Sequence, residues 1–201
     1  MHVVRAHRST PCAGQLENGD IVLARESQAA SIFGVVDALG HGPRAAEVAR
    51  AAARAFEEVD LGADLLHTLD TLHRALVGTR GAAVTFVRVA WPTLTAVGVG
   101  NVALRVVGAE LPFFSTPGVV GARMHRVRLA EARLTGRVRV LLASDGVSTR
   151  LDPRGLEGLS VELACERLFA AHAKGHDDAT LFVADVSPPR APPSPASSPA
   201  A

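Results

Sequence analysis

The sequence predicts an α+β fold, with largely antiparallel sheets and helices outside them. Three observations carry this expectation. Apolar residues recur at strand spacing in the first part of the chain, at helical spacing in the next, and at strand spacing over a long run from Ala82 onward. One more helix and one more strand then close the pattern. The third observation is residues 31–53, which read as a buried strand, an aspartate at its end, a glycine-rich turn and a helix.

In order, residues 2–7 form a first strand. Asp20 precedes the apolar run Ile21, Val22, Leu23 and Ala24, and a polar turn centred near Gln28 joins this run to Ile32, Phe33, Val35 and Val36. The second run is partly β-branched and suits a strand covered on both faces. If the two pair as a hairpin, the start of one lies beside the end of the other. Asp20 and Asp37, nearly symmetric about the turn, then meet. Gly40 and Gly42 permit tight backbone geometry, and Pro43 fits a first helical position, where its missing N–H is not needed. Ala45, Val48, Ala49, Ala52, Phe56 and Val59 then make an apolar stripe on a helix running to about Val59. A second helix places Leu65, Leu66, Leu69, Leu72, His73 and Leu76 on one face and closes at residues 78–81. Residues 83–89, 94–99 and 102–107 are β-rich, with Trp91-Pro92 and Gly100-Asn101 as turn pairs.

A short strand is expected near residues 111–115, followed by a loop over 116–122. Residues 124–129 alternate apolar and basic, as a half-exposed strand does. Val138, Val140, Leu141 and Leu142 form a buried strand that ends in Ser144-Asp145-Gly146. Residues 161–171 are helical by period, and the last strand, 180–186, begins directly after His176-Asp177-Asp178. Residues 1–186 thus make one domain. The remainder, 187–201, is Pro, Ser and Ala with little else, and reads as a disordered tail.

Composition narrows the function classes. With 201 residues and 48% hydrophobic content, the chain supports one sizeable core. A net charge of +1, from 21 basic and 20 acidic residues, gives no field for nucleic acid or an anionic membrane. Cys12 and Cys165 lie far apart without a CxxC companion, so two buried thiols are expected rather than a disulfide or a zinc site. The first ten residues lack an apolar signal core, and no segment approaches the roughly 18 apolar residues of a membrane span. A soluble, cytoplasmic protein is the expectation.

The chemistry lies in the aspartates. Asp37 and Asp145 end apolar strands, while Asp20 and Asp177 open them. In antiparallel sheets these positions adjoin, so all four converge on one edge. Converging carboxylates raise one another's pKa unless a cation offsets them, and an all-oxygen set of this kind favours Mg²⁺ or Mn²⁺. Two such ions roughly 3.5–4 Å apart activate a bridging water for in-line attack on a phosphoryl group. A single aspartate at a strand end is more often a turn former. Four at corresponding ends argue for a site.

Several motifs fall together in order: NGD at residues 18–20, VVDALGHG at 35–42, GVGNV at 98–102, ASDGV at 143–147 and HDDAT at 176–180. In this the chain resembles the metal-dependent protein serine/threonine phosphatases of the PPM (type 2C) superfamily, and especially their compact bacterial SpoIIE/RsbX-like branch. The resemblance spans residues 18–186. It implies an αββα sandwich of two mainly antiparallel sheets, with a two-metal site at one end holding Mn²⁺ or Mg²⁺. Asp37 would bridge both metals, Asp145 and Asp177 would complete one shell, and Asp20 would serve the other, directly or through water, with the backbone carbonyl of Ala38. The implied reaction is direct hydrolysis of phosphoserine or phosphothreonine, with no phosphoenzyme. The implied partner is a small phosphorylated regulator, often a STAS-domain protein, whose phosphate comes from an anti-sigma-type serine kinase in a partner-switching circuit. Two positions depart from the family pattern. Ala38 stands where Gly is usual, and its Cβ would penalise a left-handed backbone. Asp178 stands where many relatives outside the bacterial branch have Asn, and adds negative charge near the metals.

Other residues have two readings each. His41 either protonates the leaving alkoxide or orients water, or it is a polar loop residue. Arg44, at a helix N-terminus, guides a phosphate or is simply solvated. Gly98, Gly100 and Asn101 shape the site floor or only make a hairpin turn. Gly40, Gly42, Gly146 and Asp178 are further candidates for support or substrate contact. Ser144 has no base placed for it and is rejected as a nucleophile. Two competing readings remain: a non-catalytic binding or sensing module on the same fold, and a GHKL-type ATPase or kinase based on residues 37–42. The second needs an upstream helix bearing Glu and Asn, and the segment before Asp37 is strand-like.

Overall fold

The hairpin expected around Gln28 forms, and it sets the frame for the rest. The computed structural model describes residues 1–148, 150 and 153–189. The strands are β1 (His2–Thr10), β2 (Asp20–Glu26), β3 (Ser31–Ala38), β4 (Ala82–Ala90), β5 (Thr93–Val99), β6 (Ala103–Val107), β7 (Ala130–Arg133), β8 (Val138–Ala143) and β9 (Ala179–Ser187). The helices are α1 (Pro43–Glu57), α2 (Leu65–Leu76) and α3 (Val161–His172), with a single 3₁₀ turn at Pro153–Leu156. Five strands form one sheet in the order β2-β3-β4-β5-β7, and four form a second in the order β1-β9-β8-β6. All of these pairings are antiparallel.

Three apolar layers hold the αββα stack. α1 and α2 pack on the outer face of the five-stranded sheet through Val48, Phe56, Leu69, Leu72 and Phe86, and Phe56 stacks on Phe86 at 5.5 Å. Between the sheets, Phe33 meets Phe182 at 5.1 Å, flanked by Val35, Val87, Leu142 and Val140. α3 covers the outer face of the four-stranded sheet through Ala164, Cys165 and Leu168 against Leu141, Leu181 and Val183. β3 is therefore enclosed on both faces, which its unbroken apolar run requires. Gly34 inside it has a packing cause: a Cβ there would lie 2.3 Å from the Phe86 ring. Cys12 and Cys165 are both buried and free.

Two expected strands do not form. Residues 111–115 are irregular. The Phe113 N–H bonds back to the Leu111 carbonyl, and Thr116 pairs as an isolated bridge with Val99, so no ladder develops around Pro112. Residues 124–129 are also irregular, apart from a single bridge at Met124. Met124 and Val127, three apart, pack on the helix-side core while the arginines stay exposed. The strand that completes the sheet is instead β7, whose AEAR sequence alternates buried and exposed. Residues 190–201 of the expected tail lie outside the described residues, and Ser187 is the last residue of β9.

Candidate functional site

Antiparallel register brings the first two aspartates together. Asp20 is the direct partner of Asp37 across β2 and β3. The other two arrive on the opposing sheet: β8 and β9 pair antiparallel, Ala143 opposite Leu181, so Asp145 just after β8 and Asp177 just before β9 share one end. The four carboxylates thus face one another across the sandwich rather than along one sheet edge, a correction to the single-edge expectation.

The electrostatics are those of crowded, largely buried carboxylates. Burial pushes the Asp37 carboxyl up to about 8, and the charges of Asp20, Asp145 and Asp177 add to it, against a countering bond from the backbone amide of Asp145. Burial likewise lifts Asp20 to about 7, against hydrogen bonds from Ser144 and Thr180, with Asp178 and Asp145 adding repulsion. Asp37 Oδ2 is buried with no hydrogen-bond partner. A buried acceptor left in that state costs free energy unless something cationic or protic faces it.

Three of the four carboxylates are held by neighbouring side chains or amides. Ser144 Oγ donates to Asp20 Oδ2 at 2.6 Å and accepts the Thr180 N–H at 2.9 Å. Asn101 Nδ2 donates to Asp145 Oδ2 at 2.7 Å, and Lys174 Nζ donates to the Asp145 carbonyl at 2.6 Å. Asp177 Oδ1 accepts the Asp178 N–H at 2.9 Å. Asp178 does a different job from its neighbour. It is 3% exposed and accepts the backbone N–H groups of Cys12 and Gly19, both at 2.7 Å, which fastens the loop leading into β2.

The turn after β3 is shaped by Gly40 (φ 85°) and Gly42 (φ 73°), with Gly42 as the cap of α1 and Pro43 inside its first turn. Ala38 lies in β3 opposite Ala82, and no non-glycine residue has a positive φ among the described residues. The left-handed strain expected for alanine at this position is therefore absent. His41 and Arg44 are both exposed, His41 on the turn and Arg44 on the first turn of α1. Gly146 is required by contact: a Cβ there would sit 1.9 Å from the Asp178 carbonyl oxygen. Gly146→Ala is expected to displace the loops carrying Asp145 and Asp177 and to lower thermal stability, read as a fall in melting temperature.

Ser144 and Lys174 are the residues that sequence reasoning passed over. Ser144 was considered only as a nucleophile, whereas its buried hydroxyl positions Asp20. The available signal was its place between a buried strand and Asp145. Ser144→Ala is expected to release Asp20 and, where Asp20 serves a Mn²⁺ ion, to weaken its affinity by on the order of tenfold, measured by calorimetric titration.

Among the described residues, no three His, Cys, Asp or Glu side chains stand close enough to hold an ion as they are. The donors that fit one are the partnerless Asp37 Oδ2 and the carboxylates ranged around it, an all-oxygen set suited to a hard divalent cation.

No protein-family model and no curated protein sequence matches the chain. Solved structures do. One from the bacterial stressosome, a modular system adapted to control secondary messenger signalling, is 26% identical, covers 92% of this chain and 100% of its own, and superposes with a TM-score of 0.83. RsbX in complex with magnesium is 18% identical over 92% of this chain and 96% of its own, with a TM-score of 0.80. The catalytic domain of the serine/threonine phosphatase PstP, in complex with two manganese ions, is 18% identical over 92% of this chain and 99% of its own, with a TM-score of 0.71. PstP is a protein of Mycobacterium tuberculosis. Two antiparallel sheets between helices give this chain the fold of the PPM-type protein phosphatases.

Proposed function

We propose that the chain is a metal-dependent protein serine/threonine phosphatase that hydrolyses phosphoserine or phosphothreonine on a small regulatory protein. The observation that carries this reading is Asp37: a buried carboxylate with one oxygen unpartnered, paired in register with Asp20 and facing the charges of Asp145 and Asp177. Asp37 would hold two divalent ions, Mn²⁺ or Mg²⁺, with Asp145 and Asp177 on one and Asp20 and the Ala38 carbonyl on the other. The magnesium complex of RsbX and the dimanganese complex of PstP support that choice of metals. When bound, such ions supply a water of lowered pKa and neutralise charge on the phosphoryl oxygens. The chain's own part is positioning. Ser144 fixes Asp20, Asn101 and Lys174 fix Asp145, and Asp178 anchors the loop before β2. His41, exposed on the turn after Asp37, would supply a proton to the departing alkoxide, and Arg44 would attract the phosphate. Gly40, Gly42 and Gly146 keep the turns close.

The likeness to stressosome and RsbX structures supports a regulatory, partner-switching setting. Within it the substrate would be of the STAS type, the opposing enzyme an anti-sigma-type serine kinase, and the compartment the cytoplasm. Among the described residues no helix is long and apolar enough to cross a membrane.

Release of phosphate from p-nitrophenyl phosphate tests the reading. Wild type turns over only with Mn²⁺ or Mg²⁺, and Asp37→Asn and Asp145→Asn lower the rate by on the order of a thousandfold, since the metals supply several kcal/mol of stabilisation. Folded wild type that releases nothing with either metal, from this ester or from a phosphoserine peptide, would leave a non-catalytic binding module as the better account.

A further inference from the structure

Among the described residues, the two sheets end at four edges, β1, β6, β2 and β7, with no further strand paired to them. Three are blunted by charge. β1 carries Arg5, His7 and Arg8, with Arg5 paired to Glu26 of β2, and β2 also carries Arg25. β7 is four residues long, with Glu131 and Arg133 exposed. Such charges stop an edge from recruiting another strand. β6 is different: its sequence is ALRVV, with Arg105 as its one charge.

Beside β6 lies a cavity of about 530 Å³, lined by residues 100–106 together with Leu111, Phe113, Phe114 and Ser115. Phe114 is 83% exposed, with most of an aromatic ring given to solvent. The cavity borders the site through one residue. Asn101 lines it and donates to Asp145 Oδ2, and Ala103 at the start of β6 pairs with Ala143, two residues before Asp145.

We propose that the β6 edge is the docking groove for the substrate's main chain. The segment on the N-terminal side of the phosphorylated residue adds there as a fifth strand. This inference rests on the phosphatase reading and deepens it. The sheet is antiparallel throughout, and antiparallel pairing is the slightly stronger mode, so the added strand runs opposite to β6 and reaches the site with its C-terminal end. Five residues of β6 guide about 17 Å of peptide. Main-chain hydrogen bonds supply affinity with little sequence demand, while alternate side chains meet the Leu111, Phe113 and Phe114 wall. Arg105, the one charged residue among the described residues lining the cavity, whose guanidinium donates to the Leu104 carbonyl at 3.1 Å, favours an acidic over a basic side chain in the segment.

The test compares synthetic phosphoserine peptides with p-nitrophenyl phosphate. One peptide has five residues of alternating valine and threonine before the phosphoserine, one has them after it, and a third repeats the first with alternate amides N-methylated. Fluorescence anisotropy of the unphosphorylated, fluorescein-labelled forms reads docking apart from turnover. The expected result is at least a tenfold higher kcat/KM for the N-terminal extension than for the C-terminal one, carried by KM. That gain is lost on N-methylation and in Phe114→Ala, with the same order in anisotropy. Turnover of p-nitrophenyl phosphate with equal kcat/KM for all three peptides, and no ordered binding, overturns the groove. Ordered binding without turnover of any ester leaves the groove standing and sinks the phosphatase reading.

Discussion

Freed of metal by EDTA, the Asp37→Asn protein melts above wild type at pH 8, by at least about 3 °C, and the difference shrinks as the pH is lowered toward 4. The sign follows from linkage. Asp37 is held near 8 and Asp20 near 7 in the folded protein, against 3.8 for a free aspartate. Between those values the folded state keeps protons that the unfolded chain has released. The stability these groups contribute is full below about pH 4 and is lost as the pH rises through 7 and 8. Each group weakens folding by up to about 1.4 kcal/mol per pH unit across that window. Asparagine cannot ionise and escapes this loss. Divalent metal inverts the comparison: at pH 8 Mn²⁺ raises the wild-type melting temperature, because a ligand bound only by the folded state stabilises it, and leaves Asp37→Asn little changed. Scanning fluorimetry at pH 5, 6.5 and 8, with EDTA or Mn²⁺, reads all of this. A wild-type minus variant difference that does not vary with pH in EDTA would refute the buried, mutually repelling carboxylates as the cause.

The second large effect lies far from the carboxylates. Arg139→Met is expected to destabilise the fold by about 3–5 kcal/mol, the usual result of removing one partner from a buried ion pair. Asp185, 4% exposed on β9, accepts two bonds from the Arg139 guanidinium at 2.7 and 2.8 Å and one from Arg137. Burial raises its pKa, but those bonds outweigh burial and hold the carboxyl below its ordinary value. The same guanidinium donates to the Leu156 carbonyl at 2.9 Å and the Leu159 carbonyl at 2.7 Å, tying the chain before α3 to the sheet. Methionine matches the stem but leaves those acceptors unpaired. Replacing both partners, Arg139→Met with Asp185→Leu, should recover much of the loss, because an apolar pair does not strand a charge. Urea denaturation separates the outcomes. A loss below about 1 kcal/mol for the single variant would class the pair with weak surface bridges.

Local chemistry made part of this legible before any coordinates. The symmetry of Asp20 and Asp37 about a polar turn implies their pairing, because hairpin register follows from turn position, and the two are direct partners. α1 announced itself through Pro43 and an unbroken apolar stripe, and it spans Pro43–Glu57. Alternation misled where long-range packing decides. Residues 124–129 read as alternating apolar and basic, yet Met124 and Val127, three apart, anchor an irregular segment, while β7 is built of Ala, Glu and Arg and is held by pairing with β5. Ala38 looked like a strain point only because a glycine position was assumed to be left-handed, and it is extended β backbone. Which sheet carries which aspartate depends on the crossover order β1-β9-β8-β6, and no local pattern encodes that.

The clasp made by Asp178 also bears on the order of assembly. Its carboxylate closes over amides 166 and 159 positions earlier in the chain, at Cys12 and Gly19. Loops of that length close late, because their entropy must be met before the contact rewards it. A ribosome-bound chain that has emerged only through β8 already contains Asp20, Asp37 and Asp145, but the turn into β2 is untied and Asp177 is still to come. On the phosphatase reading, the capacity to capture metal would therefore belong to the finished domain, and partly made chains would be spared from trapping ions in half a site.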